Sequence, residues 1–276
     1  MHNTKKAAKT RSMKKIFKIF VIAIAFAIAP LAAICPNCSA SAKTNTKPML
    51  AIVIDDFGEA RDGVEQMLSV KAPLTCAIMP DLEYSEADAK KAHENGHEVI
   101  VHMPLEAKNG LPRSWYGPRM IHNSDSATTA KDTFSKCIES VPFAVGANYH
   151  IGTGVSENKT LMTALLEVIK QKDLFFLDSK TTMHSAGPAA AKATGAKFVE
   201  RDLFLENGHA SYDYSKKILN EAVALAKANG KAIVIGHVGP MGRTQTAKAI
   251  ADSIDYIKNA GIEIVPLSKI VKAQMA

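Results

Sequence analysis

Two carboxylates side by side, Asp55 and Asp56, close the apolar run of residues 49–54 and are followed by Phe57 and Gly58. Adjacent acids at the mouth of a buried segment repel one another, and a metal ion or a shared proton relieves that repulsion. Side chains alternate along a strand, so both acids reach one site only where the chain turns sharply, and Gly58 permits such a turn. Other reactive groups follow apolar runs in the same way: His102, then Asn148 and His150, then Asp178, then Arg201 and Asp202, then His237. Asp, His and His are donors suited to a divalent metal such as Zn²⁺ with water in its open position. His102-Met-Pro-Leu-Glu106 sets a carboxylate four residues after a histidine, with Pro104 favouring a loop between them. Glu106 is thus either a ligand or a group that orients a neighbouring His or Arg.

Other chemistries find less support. The chain has no Gly-x-Ser-x-Gly elbow for a nucleophilic serine, and Ser179, in Asp178-Ser179-Lys180, has no histidine close by in sequence. The glycine-rich segment 236–242 lacks the Lys-Ser/Thr of a phosphate-cradling loop and reads as a turn that lets His237 point inward. His93, His97, His122, His184 and His209 do not end strands and read as surface or helix histidines. Asp202 is placed to hold Arg201 through a charge-assisted hydrogen bond.

The elements that must carry these groups are legible as alternating patterns. Strands are expected at 49–54, 73–79, 97–103, 143–149, 173–178, 196–200, 231–236 and 262–266. Amphipathic helices are expected at 60–69, 84–95, 126–140, 157–172, 211–229 and 244–260; Leu161, Leu165, Val168 and Ile169, for example, share a face. Ser126, Ser156 and Ser211 stand where helix N-caps belong, and Gly230 and Gly261 just past helix ends. Regular alternation predicts an α/β fold with a parallel sheet, and eight strands in about 220 residues is the size of a single (β/α) barrel. In parallel α/β folds the carboxyl ends of the strands gather at one face, where active sites lie. The segment 103–125, with Pro112, Trp115, Tyr116 and Pro118, lacks helical spacing and is expected to be an ordered loop bordering a substrate groove.

Residues 1–42 read as an export signal: seven Lys and Arg flank or enter an apolar run from Ile16 to Ile34, and Ala40-Ser41-Ala42 supplies small residues for cleavage. An uncleaved anchor is the alternative, and would be the chain's sole membrane contact. Either way the folded part is placed outside the cytoplasm, in a periplasmic or other extracytoplasmic space. The leader holds seven of the 34 Lys+Arg and none of the 27 Asp+Glu, so 27 of each remain and the balance gives no reason to expect nucleic acid. Residues 43–48 form a polar linker, and 49–276 form one folded domain. Cys35 and Cys38 fall just before the expected cut. Cys76 and Cys137 are expected to be buried, a single disulfide between them being the alternative.

Taken together, the segments Ile-Asp-Asp-Phe-Gly (54–58), Val-His-Met-Pro-Leu-Glu (101–106), Gly-Ala-Asn-Tyr-His-Ile-Gly (146–152), Phe-Phe-Leu-Asp-Ser-Lys-Thr (175–181), Glu-Arg-Asp-Leu-Phe-Leu-Glu-Asn (200–207) and Ile-Gly-His (235–237) resemble the divergent polysaccharide deacetylase family. The resemblance spans about residues 50–270 and implies a distorted (β/α) barrel of about seven strands. In the broader polysaccharide deacetylases an Asp-Asp pair supplies a base and then a metal ligand, which maps to Asp55 and Asp56. A His-x-x-x-His pair supplies the other ligands; here the register gives His102 and then Glu106. A later histidine, matching His237, is the general acid. The Arg-x-Pro-Tyr segment is replaced by Asn148-Tyr149-His150, so that His150, from another strand, competes with Glu106 as third ligand. Asn148, Asp178, Arg201 and Asp202 are then expected to touch substrate or support the ligands. The implied activity is metal-dependent deacetylation of an N-acetylated envelope polysaccharide. The alternatives are a non-catalytic carbohydrate or cell-wall binding module on the same barrel, and a different barrel metal hydrolase.

Overall fold

The structure, a computed structural model, describes residues 47–59 and 61–275; the leader 1–42, Cys35 and Cys38, and most of the 43–48 linker lie outside the described residues. The chain opens with β1 (Met49–Phe57), α1 (Val64–Leu68), β2 (Thr75–Ile78), α2 (Ser85–Glu94) and β3 (Glu98–Leu105). It continues through α3 (Ala127–Glu139), β4 (Ala144–Ile151), α4 (Lys159–Gln171), β5 (Phe175–Asp178) and α5 (Gly187–Thr194). Two short strands, β6 (Lys197–Glu200) and β7 (Leu203–Phe204), precede α6 (Tyr212–Asn229) and β8 (Lys231–His237). The last elements are α7 (Gly239–Ala251), α8 (Ile254–Asn259), β9 (Glu263–Ile264) and α9 (Leu267–Met275).

All the strand pairings are parallel, in the order β6-β5-β4-β3-β2-β1-β8-β7, with β9 on the start of β1. The two ends of that series are consecutive in the chain. β6 lies on β5 and β7 on β8, and the two residues between them hand the chain across: the Arg201 N–H bonds to the Asp178 carbonyl, and the Asp202 N–H to the Ile233 carbonyl. The sheet thus curls into a distorted (β/α) barrel in which one broken stave faces both neighbours.

Alternation sorts the side chains. In β1, Leu50, Ile52 and Ile54 pack outward under the helices, while Ala51 and Val53 join Ile100, Phe175, Leu177 and Ile235 inside the barrel. Leu267, Ile270 and Val271 of α9 close this inner core from the amino ends of the strands, where the Leu267 N–H meets Thr75 Oγ1 and the Ser268 N–H meets the Glu98 carboxylate. The apolar side chains therefore fill the lower barrel, and the same parity continued upward delivers Asp55, His102, Asn148, His150 and His237 to its mouth.

Several local expectations change. β3 runs through Pro104 to Leu105, so the segment after His102 is strand and not loop. Pro104 has no N–H to donate, and its carbonyl accepts the Ile121 N–H from the following connection. The α4 cap is Asn158, whose side chain accepts from the Thr160 and Leu161 N–H groups; Ser156 lies one turn earlier in a 3-10 turn. Ser126 and Ser211 do cap α3 and α6. The expected 244–260 helix is broken into α7 and α8, and α5 and α9 are additional. Cys76 and Cys137 are free and buried. His97 is buried rather than superficial, with its ring nitrogens on the Leu74 N–H and the Leu68 carbonyl.

Candidate metal centre

The turn that brings both acids to one site lies at Asp56 itself. Its φ of 72° is left-handed, a conformation an L-residue other than glycine adopts at a cost, and the β1–β2 register shifts between Ile54 and Phe57. Asp55 points into the barrel by parity, and the reversal at Asp56 returns the second carboxylate to the same mouth. Gly58 also has positive φ, but its N–H is spent on Asp88, which pins the following loop together with Arg61.

The side chains of Asp56, His102 and His150 converge, each offering a ligand atom within 4.8 Å of the others. His102 Nε2 lies 3.2 Å from Asp56 Oδ1, and His150 Nδ1 lies 2.9 Å from the same oxygen. These are hydrogen-bond distances without hydrogen-bond geometry, for Asp56 Oδ1 is buried and no donor among the described residues meets it at an acceptable angle. The outer contacts explain why. Asn148 donates from Nδ2 to Asp55 Oδ1 at 2.7 Å, so its Oδ1 is the acceptor that meets His102 Nδ1, also at 2.7 Å. The proton of His102 is thereby drawn to Nδ1 and Nε2 keeps a lone pair. His150 donates from Nε2 to the Trp115 carbonyl at 3.1 Å, leaving a lone pair on Nδ1. In their neutral forms the two imidazoles thus turn lone pairs toward one carboxylate oxygen, an arrangement that a cation relieves. Donors around a small divalent ion stand about 3–3.5 Å apart for bonds of about 2.0–2.2 Å, so Asp56, His102 and His150 fit a metal ion.

Electrostatics separate the two acids. Burial, the largest influence on Asp55, raises its carboxyl above the ordinary range despite the pull of His102 and His237. Burial opposes charge on Asp56 as well, but the imidazoles of His102 and His150 override it and hold that carboxyl well below the ordinary range. Burial works against charge on His102, but Asp55 and Asp56 raise its pKa, so a cation using the Nε2 lone pair would displace a proton from that nitrogen. On the other side of Asp55, the register of β1 on β8 sets His237 directly beside it. Burial works against the His237 charge, yet Glu206, Asp56 and Asp55 raise its pKa to about 9.

Glu206 is the residue that strand-end reasoning missed. Its carboxylate is fully buried; Oε2 lies 2.9 Å from His237 Nδ1, while Oε1 accepts from the His237 N–H and from Thr246 Oγ1. It follows the broken stave by two residues, with the parity of Phe204, whose ring stacks on His237. That continued alternation was the available signal.

The remaining expected residues sit elsewhere around the mouth. Glu106 lies just past β3 and accepts from the Asn123 N–H at 2.6 Å, with His122 at 3.9 Å. Asp178 has the outward parity of Phe176, and its carboxylate accepts from Tyr149, Ser185 and the Lys180 N–H. Arg201 donates to the Ser179 and Lys180 carbonyls and lies over the Phe204 ring, 3.7 Å from its centroid. Asp202 does not grip the guanidinium as expected; its Oδ2 accepts from the Ile233 N–H, replacing a ladder bond where the stave breaks.

Comparison with known proteins identifies the family and the fold. A family model described as divergent polysaccharide deacetylase matches residues 52–271. The chain is 34% identical over 193 residues to the uncharacterized protein YibQ of Escherichia coli (strain K12), a match covering 69% of this chain and 59% of that protein. It is 30% identical over 191 residues to an uncharacterized Haemophilus influenzae protein, covering 69% of this chain and 67% of the other. The crystal structure of the uncharacterized protein ATU2773 from Agrobacterium tumefaciens C58 shares the fold, with TM-score 0.75 at 22% identity over 82% of this chain and 90% of that one. With the matched segment running from β1 into α9 and enclosing every strand that feeds the mouth, the chain belongs to the divergent polysaccharide deacetylase family.

Proposed function

We propose that the protein is a metal-dependent hydrolase that removes acetyl groups from an N-acetylated envelope polysaccharide, with Asp56, His102 and His150 as metal ligands and Asp55 and His237 as base and acid. The observation that carries this reading is the buried, partnerless Asp56 Oδ1 faced by two imidazole lone pairs. A divalent ion, zinc in the first instance, supplies Lewis acidity when bound: it acidifies a water and draws charge from an acyl oxygen.

The chain's own residues do the rest. Asp55, tethered by Asn148 and raised by burial, accepts the proton of the attacking water. His237, kept as imidazolium by Glu206, donates a proton to the departing amine. The acid and base stand side by side, on neighbouring strands, so both face one scissile bond. No covalent intermediate is required. The expected leader places the enzyme outside the cytoplasm, where envelope glycans are.

Metal analysis and acetate release test this together. Purified protein should hold about one zinc per chain and release acetate from chitin- or peptidoglycan-derived oligomers. Asp56→Ala, His102→Ala and His150→Ala should each abolish both. Stoichiometric zinc retained by all three variants would sink the ligand assignment. Glycan binding that is indifferent to chelators, with no acetate released, would instead identify a binding module.

A further inference from the structure

The chain has one tryptophan, and that residue touches the candidate metal centre. Trp115 lies in a 3-10 turn, Arg113–Tyr116, inside the long connection between β3 and α3. The residue is 57% exposed, whereas the next residue, Tyr116, is buried and accepts the Ala107 N–H on its hydroxyl. An indole left in solvent forgoes the burial that a ring of this size ordinarily finds.

The loop that presents it is tied at its two ends and at its turn, while residues 108–115 are exposed. Its two ends pair with each other through Glu106 and Ile121, and Lys108 is bonded to Thr153 and Glu157. The Arg113 guanidinium closes the turn by donating to the Gly117 and Pro118 carbonyls. Trp115 thus carries an exposed aromatic ring on the same residue whose carbonyl meets His150, on a loop that a ligand seated there would order further. The negative face of an indole suits the C–H face of a pyranose ring.

We propose that Trp115 is the platform of a sugar-binding subsite at the rim of the metal centre, stacking a pyranose ring of an N-acetylated glycan, and that seating the ring strengthens metal binding through the Trp115 carbonyl on His150. The glycan part rests on the function proposed above. The coupling follows from one residue serving two ends: a ring on the indole restrains the turn, and the restrained carbonyl holds the His150 lone pair toward Asp56. Linkage requires the metal to tighten glycan binding by the same factor.

With a single tryptophan, emission reports this site alone. Titrating chitotetraose into the purified protein should shift or quench the emission in metal-free and zinc-loaded samples, and zinc affinity by equilibrium dialysis should rise about fivefold in saturating chitotetraose. Trp115→Ala should weaken chitotetraose binding in calorimetry about five- to tenfold, raise KM with kcat changed less than about twofold, and lose the coupling; Trp115→Phe should retain most of the affinity. Unchanged emission while calorimetry shows chitotetraose bound would overturn the platform, and would leave acetate release to judge the hydrolase reading by itself. An emission shift in protein that holds no zinc and releases no acetate would support the platform and remove the hydrolase.

Discussion

At Asp56, two histidines meet one buried carboxylate oxygen, and in the neutral imidazoles the outer contacts with Asn148 and Trp115 hold the protons. The tautomers are decided outside the triad, which makes the inner face a set of acceptors awaiting a cation. The same division of labour governs His237, where Glu206 is the chief group holding the charge in place. Glu206→Gln should therefore lower the basic limb of the pH–rate profile by about one to two units, as the loss of a close opposite charge implies. Zinc content should stay unchanged. The His237 contribution to stability has the sign of a raised base. It is complete below the ordinary value of 6.5 and is lost as pH rises through about 9, so denaturant midpoints should fall across that window and fall less in Glu206→Gln. Spacing alone could not choose between Glu106 and His150 as partner to His102. The proposal of His150 rests on β3 continuing through Pro104, which leaves Glu106 past the strand and bonded to the Asn123 N–H.

Among the elements, β1 carries the most consequence. Its apolar run and its terminal acids were plain in the sequence, but the reversal was assigned to Gly58, and it occurs at a residue whose side chain makes that conformation costly. Nothing in residue type announces a left-handed aspartate within a strand. The strain gives a test that separates fold from function: metal-free Asp56→Gly should be more stable than metal-free Asp56→Ala by about 1 kcal/mol in thermal denaturation, and both should fail to bind zinc. The helices were legible in proportion to their apolar periodicity. α4 and α6 carry full stripes and were found nearly to the residue. α5 is built mainly of alanine and α9 is short and follows Pro266, so neither has a pattern long enough to stand out.

For the molecule as a whole, parity in the strands explains why apolar filling and polar chemistry occupy one barrel without mixing. The strand-end rule read from the sequence captured that arrangement, since alternating runs imply a parallel sheet and a parallel sheet gathers its carboxyl ends. Asp178, Arg201 and Asp202 also end strands, and their polar contacts are with side chains and backbone of the barrel wall. Because α9 seals the opposite end from the site, damage there should be felt as stability alone. Ile270→Ala should cost about 2–5 kcal/mol in chemical denaturation and leave zinc affinity at ambient temperature unaltered. No helix among the described residues is long and apolar enough to cross a membrane.

The broken stave at Arg201–Asp202 gives the ring a preferred place to breathe. A ladder interrupted there and mended by one aspartate side chain should open before the longer pairings of β1 with β8 and β3 with β4, so amide exchange should be faster near Leu203 and Phe204 than beside His102. On the proposed assignment the three ligands come from β1, β3 and β4, while the proposed proton donor stands on β8, the neighbour of the weak joint. A bulky polymer could then widen that side of the mouth without loosening the grip on an ion.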